Sequence, residues 1–175
     1  MTEQPVVYLV ATGAPPVRQL AEPLALLQGA GWQACAVLSP AAASWIDAAE
    51  LQATAGCPVR LRPRRPDEPD ALPLADAVLA APMTFNSINK VAGGIGDTFA
   101  TSLLNELLGI GVPMVFAPCV KQPLRAHPAY RPNVERLRTC GVHLLDPDDI
   151  TGRGPDGLAA FDWSTVVSRF ADINR

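Results

Sequence analysis

The stretch VVYLVATGAPPVRQLAEPLALLQGAGWQACAVLSP, residues 6–40, decides the fold class. It begins with an apolar, β-branched run at residues 6–11, which is typical of a buried strand. Leucines then recur between residues 20 and 27 at the i, i+4, i+7 spacing of an amphipathic helix, and a second apolar run follows at residues 32–38. A strand, a helix and a strand in this order predict a parallel βαβ unit.

The same alternation continues to the end of the chain. Short apolar runs predict further strands at residues 59–61, 75–81, 113–117 and 142–145, and helices are predicted after residue 39 and near residues 87–92, 98–108, 131–139 and 163–171. This pattern predicts an open sheet covered by helices on both faces. The expected fold is a Rossmann-like (flavodoxin-like) three-layer α/β sandwich with a central parallel sheet of about six strands. Because 175 residues suffice for one ordinary domain, residues 1–175 are expected to form a single domain.

The composition favours a folded cytoplasmic protein. Hydrophobic residues make up 49% of the chain and charged residues 18%, which argues against a disordered tail. The net charge of −3 argues against nucleic acid or an anionic membrane surface as the main partner. No apolar run approaches the roughly 20 residues of a membrane helix, and residues 1–5 lack the basic segment of a secretory signal. Arginine is far commoner than lysine and alanine is frequent, which indicates a bacterial origin.

The cysteines predict free thiols. Cys35, Cys57, Cys119 and Cys140 are widely spaced, and no two of them form the close pair that a zinc site uses. A disulfide framework would need an oxidising compartment. We therefore expect neither a metal site nor disulfides.

Four loops are candidates for a binding site, because ligands of open parallel sheets bind beside the carboxyl ends of the strands. They are residues 12–16, 39–43, 82–86 and 118–127. In the first loop, Thr12, Gly13 and Ala14 follow a strand, and their backbone amides could bind a phosphate; the alternative is a plain turn. Ser39 is either an N-cap before Pro40 or a hydroxyl that also holds a phosphate.

The segment APMTFNSINKVAGGIGD, residues 81–97, is the most informative part of the chain. It resembles the signature of the homo-oligomeric flavin-containing cysteine decarboxylase family, which includes phosphopantothenoylcysteine decarboxylase and the decarboxylases of lanthipeptide-type peptides. That signature reads Pro-Ala-Ser-Ala-Asn-Thr and then Ala-Lys-(Ile/Val)-Ala-x-Gly-(Ile/Met)-x-(Asp/Asn). This chain keeps Pro82, Asn86, Lys90, Val91, Ala92, Gly94, Ile95 and Asp97, has Thr84 and Ser87 as hydroxyl replacements, and carries the bulkier Met83, Phe85 and Asn89. Residues 6–14 and 38–45 resemble two weaker family motifs in the right order.

The resemblance implies a single flavoprotein domain that binds FMN. The implied cofactor-binding residues are Thr12, Gly13, Ala14, Ser39, Pro82, Thr84, Asn86 and Ser87. Asn86 would hydrogen-bond the flavin or the substrate, or alternatively cap a turn. The implied substrate is a small molecule or peptide with a thiol and a carboxylate. The implied assembly is a homotrimer or dodecamer with FMN between subunits.

Two departures from the family concern catalysis. The family histidine that precedes the signature strand falls near Glu68 here, which is either a tuned base or part of a solvated acidic loop. Lys121 stands where the family has the asparagine of its substrate clamp, and with Arg125 it suggests an anionic ligand group or a solvated basic loop. His127 lies in the same loop and is the histidine with a route to the site, whereas His143 is expected to be structural.

Two functions remain open at this point. The first is an FMN enzyme that oxidises a cysteine-derived substrate and so drives its decarboxylation, with Asn86, Glu68, Lys121 and His127 as the candidate catalytic residues. The second is an FMN-binding protein without decarboxylase activity: a partner subunit, a regulator or an oxidoreductase for another small anion. The missing histidine and asparagine favour the second.

Overall fold

A parallel sheet of six strands forms the centre of the molecule, in the order β3-β2-β1-β4-β5-β6, in a computed structural model that describes residues 4–69 and 72–174. The strands are β1 (Val6–Ala11), β2 (Gln33–Leu38), β3 (Val59–Arg60), β4 (Ala77–Met83), β5 (Met114–Pro118) and β6 (His143–Leu144). All five neighbouring pairs are parallel. The predicted fold class is therefore confirmed.

Helices cover both faces of this sheet. They are α1 (Ala21–Gly29), α2 (Pro40–Ala43), α3 (Ala48–Ala55), α4 (Phe85–Ala92), α5 (Phe99–Gly109), α6 (Gln122–Arg125), α7 (Tyr130–Thr139), α8 (Pro147–Ile150) and α9 (Trp163–Ile173), with a 3₁₀ turn at Pro15–Gln19. Side chains alternate along β1, since Val7 and Leu9 pack with α1 and α9, whereas Tyr8 and Val10 pack with α4, α5 and α7. None of the helices in the described residues combines the length and apolarity that crossing a bilayer requires.

Several elements differ from the sequence prediction. Strand β4 runs beyond Pro82 to Met83, because Met83 pairs with Pro118 of β5. Helix α3 was not predicted, since Leu51 is the one residue that it buries. An antiparallel hairpin of β7 (Thr151–Arg153) and β8 (Ala159–Phe161) was also missed.

Some predictions lie partly outside the described residues. These concern the polar residues 1–3 and, in the charged loop before β4, Asp70 and Ala71. The single domain spanning residues 1–175 stays a prediction.

Candidate functional site

Three loops meet at the carboxyl edge of the sheet, where Thr12 joins the end of β1 to the end of β4. Its backbone N–H and its hydroxyl both donate to the carbonyl oxygen of Pro82, at 3.0 and 2.8 Å. The same hydroxyl accepts the N–H of Thr84 at 2.9 Å. Thr12 is buried, and its hydroxyl hydrogen is used in the hydrogen bond to Pro82. Thr12 therefore positions the loops and has no hydroxyl hydrogen left for a phosphate.

Gly13 allows the turn after β1 to approach α2 closely. A Cβ atom on Gly13 would lie 2.7 Å from the Cβ of Ala41. Of the three amides in this turn, Thr12 N–H is bonded to Pro82 and Ala14 N–H to the carbonyl oxygen of Thr12, at 2.8 Å. The Gly13 N–H has no partner among the residues that the structure describes. The turn therefore presents one free amide rather than three.

Ser39 caps α2 and keeps a hydrogen to donate. Its Oγ accepts the N–H of Ala42 at 3.2 Å, and its own N–H donates to the carbonyl oxygen of Ala11 at 2.9 Å. The N-cap prediction is confirmed. The hydroxyl hydrogen finds no acceptor in residues 4–69 or 72–174, so the cap does not prevent Ser39 from donating to an anion.

The first turn of α4 leaves two polar side chains available. Thr84 is the N-cap, because its Oγ1 accepts the Ser87 N–H at 3.2 Å, and it donates to the Ser87 Oγ at 3.0 Å. The hydrogen on the Ser87 hydroxyl has no described acceptor. Asn86 is exposed, and no hydrogen bond of its carboxamide is described. Since Thr84 occupies the capping position, the turn-cap alternative for Asn86 is wrong.

Pro82 acts on the site through its backbone. Its side chain is buried within β4, and its carbonyl oxygen accepts both bonds from Thr12. We find the free donors at Gly13, Ser39 and Ser87, each at the carboxyl end of a different strand. Backbone and hydroxyl donors beside helix N-termini suit a phosphate dianion.

The loop after β5 lies next to this edge, because the Cys119 N–H donates to the carbonyl oxygen of Met83 at 2.9 Å. Lys121 is exposed, and no ion pair of its ammonium is described. Arg125 is different, since its Nη1 lies 2.9 Å from Oδ1 of Asp148. Of the two predicted cations, Lys121 has no ion pair in the described residues, whereas the charge of Arg125 is partly balanced by Asp148 and its buried Nε has no described partner. Burial raises the pKa of the Cys119 thiol to about 11, which keeps it protonated at neutral pH.

His127 contacts the first residue of α4. Its ring lies edge-on to Phe85, with the ring centroids 5.4 Å apart, and Tyr130 stacks on Phe85 with centroids 6.2 Å apart. His127 therefore reaches the first turn of α4 through its contact with Phe85. The sequence shows Phe85 only as a bulkier replacement inside the signature, and this aromatic residue is the one sequence signal of the ring cluster.

Glu68 does not suit the role of a general base. Both of its carboxylate oxygens accept hydrogen bonds from Arg62, at 2.8 and 3.0 Å, and one also accepts the Arg65 N–H at 2.9 Å. The Arg62 hydrogen bonds, followed by the Arg65 amide, lower the pKa of Glu68 to about 2. This shift has the opposite sign to the one that a base tuned towards neutral pH needs, so the role of Glu68 as a base stays a prediction that its environment does not favour.

The second half of the signature forms the corner between α4 and α5. Lys90 forms an ion pair with Asp97, and its carbonyl oxygen accepts the Ile95 N–H at 2.8 Å. Gly94 has a φ of +70°, a left-handed conformation that glycine adopts easily. These signature residues therefore shape the fold, whereas Asn86 and Ser87, whose side chains keep donors without a described acceptor, come from its first half.

A cavity of about 1320 Å³ lies at the opposite, amino-terminal edge of the sheet. Its lining includes Val6, Gln33, Met114 and His143, at the starts of four strands, and none of the signature residues. We place the candidate site at the carboxyl edge, because the free donors and the polar loops converge there.

The chain matches a known protein family over nearly its whole length. A model of the family described as Flavoprotein matches residues 4–173. The chain belongs to the Flavoprotein family. The resemblance derived from the signature is thereby confirmed at family level, and membership indicates a flavin cofactor.

Individual relatives of this flavoprotein have named activities. It is 25% identical over 150 residues to a probable phosphopantothenoylcysteine decarboxylase of Streptococcus mutans, covering 81% of this chain and 83% of that one. It is 36% identical over 73 residues to a coenzyme A biosynthesis bifunctional protein of Thermococcus kodakarensis, covering 42% of this chain. Several curated relatives are much longer, and the match covers only 18% to 23% of their length.

The fold also matches a solved flavoprotein. The crystal structure of the FMN-dependent cysteine decarboxylase TvaF from thioviridamide biosynthesis superimposes with a TM-score of 0.69 at 25% identity, covering 84% of this chain and 93% of that one.

Proposed function

We propose that this flavoprotein binds FMN and catalyses the oxidative decarboxylation of a cysteine-derived substrate, either phosphopantothenoylcysteine or a peptide with a C-terminal cysteine. The observation that supports it most is the presence of three unpaired donors, at Gly13, Ser39 and Ser87, after the carboxyl ends of three adjacent strands. The named activities of the relatives lie in the same class of reaction.

The residues present fit the FMN phosphate. The Gly13 N–H and the Ser39 and Ser87 hydroxyls would donate to its oxygens, and a side chain at position 13 would collide with Ala41. Thr12 and Thr84 would hold these donors in place through their own bonds. Asn86, whose amide both donates and accepts, would hydrogen-bond the flavin or the substrate.

When bound, FMN would supply the two-electron oxidation of the substrate's Cβ–S unit, after which the neighbouring carboxylate is lost as carbon dioxide. The chain's task is to bind and orient the substrate. Lys121 would attract the carboxylate as a point charge. Cys119 would stay a neutral thiol, because its pKa lies far above neutral pH.

An activity assay tests this proposal. The purified protein is expected to be yellow, to carry FMN, and to convert phosphopantothenoylcysteine or a cysteine-ended peptide to a product that has lost carbon dioxide, with or without two hydrogens, by mass. A colourless protein that does not take up FMN contradicts the proposal as a whole. FMN binding without loss of carbon dioxide from any such substrate favours the second function, a flavin-binding protein without decarboxylase activity. The locked Glu68 carboxylate is the observation in favour of that alternative.

We also propose a cytoplasmic homo-oligomer, a homotrimer or dodecamer, with FMN between subunits. Asn86 and Lys121 are exposed at the candidate site, which leaves a face for a second copy to cover. The four cysteines are all free thiols, which fits a reducing compartment. Light scattering on the FMN-loaded protein is expected to give a multiple of three times the 18.5 kDa chain mass, and a monomer would contradict this assembly.

A further inference from the structure

We propose that His127 binds the carboxylate of the substrate as a hydrogen-bond donor, and that Phe85 is the residue that positions it. This inference rests on the proposed function, since it assigns a residue to one group of that substrate. His127 lies between α6 and α7, in the loop whose start is bonded to the end of β4. Its ring meets the edge of Phe85, which stands directly between Thr84 and Asn86.

The hydrogen bonds of His127 determine what its free nitrogen can do. Its Nδ1 accepts the N–H of Ala129 at 3.1 Å. A neutral imidazole whose Nδ1 accepts a hydrogen bond carries its own hydrogen on Nε2, an assignment made from the hydrogen-bond geometry. No partner of Nε2 is described in residues 4–69 and 72–174, and the side chain is exposed. The free nitrogen is therefore a donor, suited to a carboxylate oxygen rather than to a thiol proton.

Backbone bonds and ring packing hold His127 in this orientation. Its N–H donates to the carbonyl oxygen of Leu124 at 3.2 Å, and its carbonyl oxygen accepts the Tyr130 N–H at 2.9 Å. Tyr130 also stacks on Phe85, so three rings connect the loop to the first turn of α4. An alanine at position 85, as in the family signature, could not make either ring contact.

The charges of the loop match an anion. Lys121 lies six positions before His127, is exposed, and has no ion pair in the part of the chain that the structure describes. Arg125 is already paired with Asp148. An ammonium and an imidazole N–H in one loop provide two donors to a carboxylate, whose oxygens only accept.

Two thiol ligands test the assignment in the FMN-loaded protein. N-acetylcysteine carries the carboxylate and N-acetylcysteamine lacks it, and the affinity of each is measured by calorimetry. His127→Phe keeps a ring against Phe85 and removes the donor. We expect about tenfold weaker binding of N-acetylcysteine, the size of one hydrogen bond to a charged group, and unchanged binding of N-acetylcysteamine.

Phe85→Leu tests the positioning role. It is expected to weaken N-acetylcysteine binding in the same direction by about threefold, since the donor remains but is held less well. Phe85→Tyr, which keeps the ring, is expected to restore wild-type binding. His143→Phe is the matched control at the opposite edge of the sheet and is expected to change neither ligand's affinity.

Three results would overturn the assignment. The first is wild-type protein that does not prefer the carboxylate ligand or binds neither ligand. The second is a His127→Phe variant that binds N-acetylcysteine as tightly as the wild type does. The third is a His127→Phe variant that binds both ligands equally more weakly, which would indicate a purely structural role. FMN content and release of carbon dioxide are recorded on the same samples. Protein that holds FMN and prefers the carboxylate but releases no carbon dioxide from phosphopantothenoylcysteine or a cysteine-ended peptide would reject the proposed activity and leave this assignment standing.

Discussion

Gly13→Ala probes the close approach on which the candidate phosphate site depends. The added Cβ would lie 2.7 Å from the Cβ of Ala41 and 3.3 Å from its carbonyl carbon. Carbon atoms in contact lie about 3.5–4.0 Å apart, so the turn after β1 must move away from α2 by about 1 Å. Overpacking of this kind costs about 1–3 kcal/mol. We expect the variant to lose that much unfolding free energy and about 2–4 °C in Tm per kcal/mol.

The same movement displaces the Gly13 amide. Because a binding group has to be held within about 0.5 Å of its working position, we expect Gly13→Ala to weaken FMN binding by about tenfold. Flavin fluorescence quenching measures the affinity. Denaturant unfolding of the FMN-free protein measures stability separately, since bound ligand would itself stabilise the native state.

Two further variants make this prediction specific. Ala41→Gly removes the Cβ that Gly13→Ala would meet, so the double variant is expected to show a favourable coupling of about 1 kcal/mol and to regain FMN affinity. Gly29→Ala is the matched control: a Cβ there has no atom within 4 Å, and we expect it to be neutral or slightly stabilising. A Gly13→Ala protein with wild-type stability and FMN affinity would refute the reasoning, as would strict additivity in the double variant.

Three other predictions follow from the hydrogen bonds and pKa values. Ser87→Ala is expected to weaken FMN binding about tenfold by removing one hydrogen bond to a charged group, while the exposed Ser168→Ala leaves it unchanged; equal affinities would contradict the role of Ser87. Glu68→Gln is expected to keep the turnover rate within about threefold, because a carboxylate of pKa about 2 is a poor base at neutral pH; a hundredfold loss would show that Glu68 is catalytic. Burial raises the pKa of Cys119 from 9.0 to about 11, so its contribution to stability is present below pH 9 and is lost as the pH rises towards 11. Mass spectrometry after iodoacetamide treatment at pH 8 should find the exposed Cys140 alkylated before Cys119.

The sheet could be predicted from the sequence because buried parallel strands leave a direct pattern. Residues 6–11 and 32–38 were predicted as strands from their apolar character, and the structure buries all of β1 and all of β2 but Gln33. The hairpin of β7 and β8 could not be found in this way, since strands of three residues are too short to show alternation. Helix α3 was not predicted for a related reason. Since Leu51 is its one buried residue, its sequence shows no apolar stripe at helical spacing.

The candidate site was predicted less completely, because its chemistry depends on contacts between distant residues. The signature pointed to hydroxyls at positions 84 and 87, but it could not show which hydroxyl keeps a free hydrogen. For these two hydroxyls it depends on the direction of the Thr84–Ser87 bond, and for the Thr12 hydroxyl on its bond to Pro82, which lies 70 positions away. Likewise, the sequence allows Glu68 to act as a base, and only the structure shows that its carboxylate is paired with Arg62. Local patterns identify residue types, whereas the availability of a donor or a base depends on its partners.

The absence of the family histidine leads to a final prediction, about how kcat/KM depends on pH. Glu68 is held ionised by Arg62, and His127 presents a donor, so neither is suited to take the proton of a substrate thiol. The substrate would then have to react as the thiolate already present in solution, whose fraction rises about tenfold per pH unit below a thiol pKa of about 8.5. We expect kcat/KM for a cysteine-ended peptide to rise with that slope between pH 6 and pH 8. A plateau across this range would show that the assembled enzyme contains a base, and it would direct the search to residues brought in by a neighbouring subunit.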